Sequence, residues 1–390
     1  MMSSAMRLKR YPRQHFTECH MTFVGRAAAS VADVARDLFG EVCDALGSHG
    51  ILPVRERVIG PGRGTAEILS VRREVLAARG LDASRPCTVL SRRPEEDSEP
   101  PAVQVWGVQP HGEQHVEVET VALGDRRSGR LLTTPGLRLL WMSGITGADG
   151  GAGLAASAVE QAQLMFERAA AGLERHGFAY TDVVRTWIAL RRILDWYADF
   201  NAVRTSFHAR QGFMRGPGSR AVPASTGIQG WAGDEECLMD VLAIQSTGPT
   251  DVVPLRRSAR QDEPSRYGSG FSRGMALACG GVRTVLVSGT ASIGANGSSL
   301  HVGDPEAQAV ETLDNVAALL EPLGGTLDDI CGGTLYYKDL AARAAFARAS
   351  LAFGIADLPL VPVMADICRP ELLVEIEAEA VIARSAEVGP

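Results

Sequence analysis

The chain repeats one pattern of segments, and this repetition constrains its fold more than any other feature. The motif Met-Ser-Gly-Ile-Thr-Gly at 142–147 has a counterpart in Val-Ser-Gly-Thr-Ala-Ser-Ile at 287–293. The serines of the two motifs lie 145 positions apart, and Asp182 and Asp329, further along each copy, lie 147 positions apart. Spacing that stays this steady over about forty residues indicates duplication of one structural unit.

The segments that follow the two motifs also match. Each motif precedes a predicted amphipathic helix, a strand and a second helix. A weaker third copy comes first, and its Val54 lies 130 positions before Val184. Three units of about 130 residues therefore account for all 390 residues. The predicted helices span 31–46, 65–79, 158–176, 194–210, 305–323 and 340–353, and the strands within each pair span 52–59, 182–190 and 329–337.

Strands with period-two patterning that alternate with helices predict an α/β (α+β) fold. Each unit is expected to open with a β-hairpin, continue as helix, strand and helix, and close with two strands, so that two helices cover one face of a mixed sheet. We predict a leader at 1–19, a degenerate first unit at 20–125, a middle unit at 126–250, a linker at 251–266 and a last unit at 267–390. Loops are predicted at 92–101, 147–153 and 215–219.

The composition argues against several classes of function. A formal net charge of −7 disfavours broad binding of nucleic acid or anionic membranes, which needs a basic surface. Seven scattered cysteines without CxxC spacing, and histidines without metal-like pairing, predict reduced thiols and no metal. No GxGxxG or Walker pattern occurs, so we expect no cofactor. Without a membrane-length apolar run or a signal-peptide pattern, the protein is predicted to be cytoplasmic.

Five stretches carry a resemblance to a known family. They read Val-Pro-Ala-Ser-Thr-Gly-Ile at 222–228, Phe-Ser-Arg at 271–273, Val-Ser-Gly-Thr-Ala-Ser-Ile at 287–293, Cys-Arg-Pro-Glu-Leu-Leu-Val-Glu at 368–375 and the closing Val-Glu-Ile-Glu-Ala-Glu-Ala-Val at 374–381. Together they resemble the chorismatases of the Rid/YjgF superfamily over about residues 130–385. Because Rid proteins are homotrimers with sites between subunits, the resemblance implies an intramolecular pseudo-trimer that could act as a monomer.

The resemblance also implies an activity. Chorismatases release pyruvate from chorismate without a cofactor, and one branch yields 3-hydroxybenzoate for secondary metabolism. The alternatives are hydrolysis to 3,4-dihydroxycyclohexa-1,5-diene carboxylate, imine hydrolysis as in Rid deaminases, and non-catalytic binding of a small molecule. Two departures bear on these: Leu360 and Ser225 stand where small Rid deaminases carry an arginine, and Trp-Ile-Ala-Leu-Arg at 187–191 replaces the expected Trp-Asn-Tyr-x-Pro.

Glu375 is the principal candidate for a catalytic group. Side chains alternate along a strand, so Glu375, Glu377 and Glu379 share one face, and for the latter two we expect an ordinary solvent-facing position. Glu375 matches the family's catalytic glutamate. Cleavage of an enolpyruvyl ether begins with protonation of its methylene carbon, which needs a carboxylic acid that burial keeps protonated near neutral pH.

Comparison of the three copies favours a single site per chain. The position of Glu375 corresponds to about Leu238 in the middle unit and to Val103 or Gln104 in the first, so only one copy keeps the acid. Cys368 lies seven residues before Glu375, and the two could be neighbours on paired strands. It matches the cysteine of the chorismatases that make 3-hydroxybenzoate, although a buried cysteine is more commonly a small packing residue.

Because chorismate is a dianion, its site needs fixed cations, and arginine suits carboxylates best. A strand opening with small side chains can also offer backbone N–H groups to an anion, although it could equally be a tight turn. Trp187, Trp196, Tyr197 and Phe200 have spacing that fits core packing. The candidate substrate-binding residues are Arg273, Arg369, Arg204, Arg185, Tyr336, Lys338, Ser288, Gly289, Thr290 and Ala291, several of which could instead be surface groups.

Overall fold

The structure is a computed structural model, which describes residues 6–26, 30–60, 64–91, 99–112, 114–124, 127–147, 155–213, 221–230, 233–247, 251–279 and 281–383. The predicted loops at 147–153 and 215–219 lie outside these residues except for Gly147. Residues 92–98 of the predicted loop at 92–101 also lie outside them.

The strands of the described residues form three sheets, one for each predicted unit. The first has the order β1-β2-β5-β3-β4, the second β10-β9-β11-β8-β7-β6 and the third β12-β13-β14-β17-β15-β16. The elements of the first unit are β1 (Arg7–Pro12), β2 (Phe16–Val24), α1 (Val31–His49), β3 (Leu52–Gly60), α2 (Thr65–Ala78), β4 (Thr88–Ser91) and β5 (Ala102–Pro110). Those of the middle unit are β6 (Glu117–Gly124), β7 (Arg127–Thr134), β8 (Leu137–Thr146), α3 (Ala158–Arg175), β9 (Val183–Leu190), α4 (Ile193–Arg210), β10 (Ala224–Gln229) and β11 (Cys237–Ser246). Those of the last unit are β12 (Asp251–Leu255), β13 (Gly274–Cys279), β14 (Val282–Ala291), α5 (Pro305–Leu320), β15 (Ile330–Tyr337), α6 (Leu340–Ala352), β16 (Leu360–Met364) and β17 (Val374–Ala383).

Local sequence signals explain where several helices begin. The side chain of Ser157 accepts a hydrogen bond from the backbone N–H of Glu160, and the Glu160 carboxylate accepts one from the backbone N–H of Ser157, which forms a capping box at the start of α3. Asp304 caps α5, whose first residue is Pro305. These caps satisfy N–H groups that a helix cannot pair internally, and the predicted helix starts agree with them within one residue.

The core has two kinds of layer. In each unit the helices pack on one face of the sheet, as the buried clusters around Phe166, Leu313 and Phe39 show. The opposite faces of the sheets pack on one another, because one buried cluster joins Val108 of the first unit, Trp141 of the middle unit and Leu286 of the last. The predicted α+β fold class, three tandem units with two helices on one face of a mixed sheet, is confirmed.

Three predicted boundaries differ from the structure. The predicted leader is wrong for residues 7–12, which form β1 and pair with β2. The middle unit begins before residue 126, since β6 already belongs to its sheet, and residues 251–255 of the predicted linker form β12, which pairs with β13. All three errors concern edge strands. In β1 and β6 polar residues interrupt the apolar ones, and β12 contains Pro254, a residue that is unusual within a strand.

Candidate active site

A cavity of about 400 Å³ lies between the middle and last units. The first turns of α4 and strand β10 line it from the middle unit, and β14, β17 and the segments around Tyr267 and Cys368 line it from the last unit. Its volume falls within the range of roughly 300–1,000 Å³ that is typical of small-molecule sites. The site therefore lies at a contact between units, as the resemblance implied.

Glu375 lies on β17 between Ala291 of β14 and Tyr336 of β15, and its carboxyl faces this cavity. The residue is only 4% exposed. Among the described residues, none donates a hydrogen bond to its carboxyl. Burial, and then repulsion by the Glu377 carboxylate, raise the pKa of Glu375 to about 8, with Arg185 acting in the opposite direction. The carboxyl is thus mainly protonated at neutral pH, which suits a proton donor.

Gly289 makes room for this carboxyl. The pairing of β14 with β17 shifts register between Val287 and Thr290, and Gly289 lies in that irregular stretch. A Cβ atom on Gly289 would lie 2.3 Å from Oε1 of Glu375 and 3.2 Å from Cγ2 of Thr226. The glycine of the repeated Ser-Gly motif is therefore needed here because the Glu375 carboxyl occupies the space beside it.

The two residues next to Gly289 fix the backbone of β14 through hydrogen bonds of their hydroxyl groups. The Ser288 hydroxyl donates a hydrogen bond to the carbonyl of Ser272 at 2.6 Å and accepts one from the backbone N–H of Ser225 at 2.9 Å. The Thr290 hydroxyl donates to the carbonyl of Ser288 at 2.9 Å. Ser288 and Thr290 do not line the cavity, in contrast to Gly289 and Ala291. Ser288 and Thr290 were predicted to contact substrate, but their side chains instead form hydrogen bonds with backbone groups.

Arg204 of α4 contributes a buried positive charge to the cavity. Its guanidinium lies over the rings of Phe200 and Phe271, at 5.4 and 5.6 Å from their centroids, and one Nη donates to Asn201. Its buried Nε has no hydrogen-bond partner among the residues that the structure describes. An unpaired buried N–H is costly, and Arg204 forms no ion pair with a described residue, so it brings an uncompensated positive charge to the cavity wall.

Arg273 and Arg369 approach the cavity from the last unit, on either side of Tyr267. Arg273 donates through Nε and Nη2 to the carbonyl of Asp262, at 3.2 and 3.0 Å, and also to the Tyr267 hydroxyl. Arg369 donates to the carbonyl of Gly297 at 2.8 Å, and its guanidinium lies 5.9 Å from the centre of the Tyr267 ring. Backbone carbonyls thus fix both cations without neutralising them.

Cys368 faces the same cavity as Glu375, but not from a paired strand as predicted. Strand β16 ends at Met364 and pairs with β15, so Cys368 lies in the connection to β17. Burial, and then the nearby Glu375, raise the pKa of the Cys368 thiol to about 12. The sulfur is therefore a neutral thiol at physiological pH, not a thiolate nucleophile.

Three other predicted substrate ligands lie away from the cavity. Arg185 is buried behind it, donates to Thr226 at 2.6 Å and lies over the ring of Trp187 at 4.6 Å. The hydroxyl of Tyr336 donates to Glu377 at 2.9 Å, also in the interior. Lys338 is on the surface and donates to the carbonyl of Pro370. The prediction of these three as cavity residues was wrong: Arg185 and Tyr336 lie beside Glu377 at the contact of the three sheets, and Lys338 lies on the surface.

The predicted solvent-facing positions of Glu377 and Glu379 were also wrong. Both are buried, at 2% and 7% exposure. Glu379 forms an ion pair with Arg55 and lies 3.4 Å from a ring nitrogen of His20. Glu377 receives hydrogen bonds from Arg57 at 2.8 Å and from Arg185 at 3.2 Å. Cations from the other units thus compensate the acidic face of β17, as buried charges require.

Several cavity residues were missed or misassigned by the sequence analysis. Tyr197, assigned to core packing, lines the cavity and packs on Gly227. The backbone of Trp196 is non-helical, with φ −146° and ψ 17°, so the first turn of α4 is distorted where it borders the cavity. Tyr267 and Phe271 also line it. The Phe-Ser-Arg motif was a usable signal for Phe271, but no repeat or periodicity indicated Tyr267.

The strand registers show what replaces Glu375 in the other units. Leu238 pairs with Thr146 and Ala189, as Glu375 pairs with Ala291 and Tyr336, so the predicted middle-unit equivalent is correct. In the first unit, Ala102 pairs with Ile59, so the equivalent is Ala102 and not Val103 or Gln104. Leu238 and Ala102 have no ionisable group with which to donate a proton.

Neither a metal site nor a membrane-spanning helix is found within the described residues. Within the described ranges, no group of three or more His, Cys, Asp and Glu side chains is placed to hold a metal ion. The helices of the same ranges include none that is long and apolar enough to cross a membrane.

Comparison with known proteins adds the following. Residues 270–382 match the family model described as Endoribonuclease L-PSP. The chain resembles a chorismatase crystal structure with a TM-score of 0.56 and 19% identity, over 84% of this chain and 92% of that one. A YjgF/YER057c/UK114 family member from Mycobacterium tuberculosis is 26% identical over 34% of this chain and 100% of that one, with a TM-score of 0.27. Escherichia coli TdcF with bound serine is 19% identical over 35% and 92%, with a TM-score of 0.25. The match to the last unit and the chorismatase-like fold confirm the resemblance inferred from the motifs.

Proposed function

We propose that this chain releases pyruvate from chorismate, with Glu375 as the proton donor and 3-hydroxybenzoate as the second product. The observation that carries the proposal is a buried carboxyl, with a pKa raised by that burial, in a cavity that arginines also line. The likeness of the fold to a chorismatase and the motifs that surround Glu375 support it.

The first step is transfer of the Glu375 proton to the methylene carbon of the enolpyruvyl group. The π electrons of the enol form the new C–H bond, and the positive charge that remains is shared by the ether carbon and its oxygen. A carboxyl with a pKa of about 8 holds its proton at neutral pH yet remains acidic enough to donate it. The Glu375 carboxylate formed in this step lies beside the cation and stabilises it.

Three arginines in the cavity wall supply positive charge for the two carboxylates of chorismate. Arg204 approaches from the middle unit, and Arg273 and Arg369 approach from the last unit. We assign one substrate carboxylate to Arg204, whose Nε is unpaired among the described residues, and the other to the pair around Tyr267. Guanidinium groups bind carboxylates through paired N–H donors, so two fixed positions would set the orientation of the ring.

The atom balance separates the two product branches. 3-Hydroxybenzoate and pyruvate together contain the same atoms as chorismate, whereas the diene acid and pyruvate together contain one additional water. The aromatic branch therefore consumes no net water. When the ring carbon–oxygen bond of the ether breaks, its electron pair stays on the oxygen and completes the pyruvate carbonyl. The oxygen of the neighbouring ring hydroxyl then moves from its own carbon to the vacated one, and the C–H proton that this carbon loses as the ring becomes aromatic returns to the Glu375 carboxylate. A buried acid beside a neutral thiol favours this branch, since neither group brings water to the reacting carbon.

Cys368→Ala is expected to lower the share of 3-hydroxybenzoate and raise that of the diene acid. The smaller side chain leaves space for a water molecule next to Glu375, and total pyruvate release should fall by less than about tenfold. Product chromatography measures the ratio. Cys43→Ala, a buried cysteine on α1 of the first unit, is the matched control and should leave the ratio unchanged. An unaltered ratio and rate in Cys368→Ala would reduce Cys368 to a packing residue.

The direct test of the proposal is incubation of the purified chain with chorismate. Pyruvate is measured with lactate dehydrogenase, and chromatography identifies the ring product. We expect catalytic release of pyruvate together with 3-hydroxybenzoate. Saturable binding of chorismate without any pyruvate would instead make the protein a binding protein, and release of ammonia from imines alone would favour the deaminase alternative.

A further inference from the structure

Glu377 is held by side chains from all three units of the chain. Arg57 on β3 of the first unit donates to Oε1 at 2.8 Å, and Arg185 on β9 of the middle unit donates to Oε2 at 3.2 Å. The hydroxyl of Tyr336 on β15 of the last unit donates to Oε1 at 2.9 Å. Glu375, two residues away on the same face of β17, receives no comparable donor from the described residues.

We propose that Glu377 is a positioning residue for the acid: its fixed negative charge, secured by Arg57 and Arg185, keeps the proton on Glu375. The inference rests on the proposed role of Glu375 and adds a second contribution, after burial, to its protonation. Two neighbouring carboxyls in a dry site resist ionising together, so the better-paired one takes the charge and its neighbour keeps the proton.

The surrounding groups support this division of charge. Burial disfavours the Glu377 anion, but Arg57 and Arg185 outweigh it, and the pKa of Glu377 is lowered. On the cavity side, the Cys368 thiol and the Tyr197 phenol, both with raised pKa, remain neutral. Glu379, the next acid along the strand, has its own partners in Arg55 and His20. Charged residues of other elements also line the cavity, namely Asp195, Asp199, Arg204, Arg273 and Arg369. The charges that act on the pKa of Glu375 are nevertheless those of Glu377, which raises it, and Arg185, which lowers it.

The first unit thereby acquires a role in catalysis. Within the described residues, it contributes no side chain to the wall of the cavity, and it has Ala102 at the position of the acid. It nevertheless supplies Arg57, which is buried and reaches β17 of the last unit. A unit without an acid of its own thus helps to set the acidity of the working copy.

The test is the pH profile of pyruvate release by Glu377→Gln. Without the neighbouring anion, Glu375 should lose its proton more easily, so the alkaline limb should move down by about one pH unit or more. Glu379→Gln is the matched control, because it makes the same change on the same strand and also leaves an arginine unpaired. Its alkaline limb should stay at the wild-type position.

Two further variants distinguish the proposed electrostatic effect from a folding defect. Glu377→Asp keeps the charge and should restore the limb. The double variant Arg57→Gln/Glu377→Gln removes the pair without leaving the Arg57 guanidinium unpaired, and its limb should move down like that of Glu377→Gln. An alkaline limb that stays in place in both the single and the double variant overturns the proposal.

A measurement without substrate separates this inference from the proposed function. The infrared C=O stretch of the protonated carboxyl, assigned by its absence from Glu375→Gln, reports the titration of Glu375 in the free protein. A shift of this titration in Glu377→Gln but not in Glu379→Gln supports the inference even if chorismate is not cleaved. An unshifted titration in both variants refutes it even if chorismate is cleaved.

Discussion

Glu375→Gln is expected to bind chorismate with almost unchanged affinity and to release pyruvate roughly 10²- to 10⁴-fold more slowly than the wild-type chain. Glutamine matches the size of the side chain but has no acidic proton to transfer to the methylene carbon. The arginines that we assign to the substrate carboxylates do not depend on this proton, so binding should survive. The effect should therefore fall on kcat.

Two measurements separate this expectation from a folding defect. Chorismate binding, followed by calorimetry with Glu375→Gln, should remain saturable, and its thermal unfolding should resemble that of the wild type. Glu379→Gln again serves as the control, because it makes the same change on the same strand outside the cavity. Wild-type turnover in a folded Glu375→Gln protein would remove Glu375 from the mechanism.

Gly289→Ala is expected to impair catalysis nearly as strongly, although it changes no reactive group. The new Cβ would lie 2.3 Å from Oε1 and 3.0 Å from Cδ of Glu375, so the carboxyl has to move. A displacement of about 1 Å in a reacting group can cost roughly 10²-fold in rate. We expect a loss of about this size in pyruvate release, measured by the coupled assay, with the protein still folded.

Gly332→Ala provides the comparison for that variant. Gly332 lies on β15 of the same unit, and a Cβ there would meet no atom within 4 Å. Its activity should equal that of the wild type within about twofold, which is within the usual scatter of neutral substitutions. Full activity of Gly289→Ala would mean that the Glu375 carboxyl does not need the position in which the structure places it.

The repeat made the fold predictable, because three copies of one helix and strand order leave few arrangements. Helix bounds followed from apolar spacing, and capping residues such as Ser157 mark the same starts in the structure. Edge strands did not follow, because polar residues interrupt β1 and β6 and a proline lies within β12. Residues 7–12, Arg-Leu-Lys-Arg-Tyr-Pro, resemble a basic leader, yet Lys9 donates to the carbonyl of Ile330 at 2.7 Å and ties β1 to the last unit.

The candidate site was predictable only in part. Glu375 could be selected because it departs from Leu238 in an otherwise repeated pattern. The burial of Glu377 could not, since its partner Arg57 lies 320 positions away in the sequence. Arg185 and Tyr336 were placed on the wrong side for the same reason. Which face of a strand borders a cavity depends on how the units pack, and strand alternation within one unit does not specify that.

The most direct test of the account is the pH dependence of kcat/KM for pyruvate release by the wild-type chain, from about pH 6 to about pH 10, because kcat/KM reports the pKa of the free enzyme. Because the protonated form of Glu375 is the active one, the rate constant for pyruvate release should be highest below the pKa of about 8 and should decline as the pH rises through that value. Glu375→Gln should lack this decline. A rate that rises with pH across this range, or the absence of pyruvate at every pH, would contradict a protonated Glu375 as the group that starts the reaction.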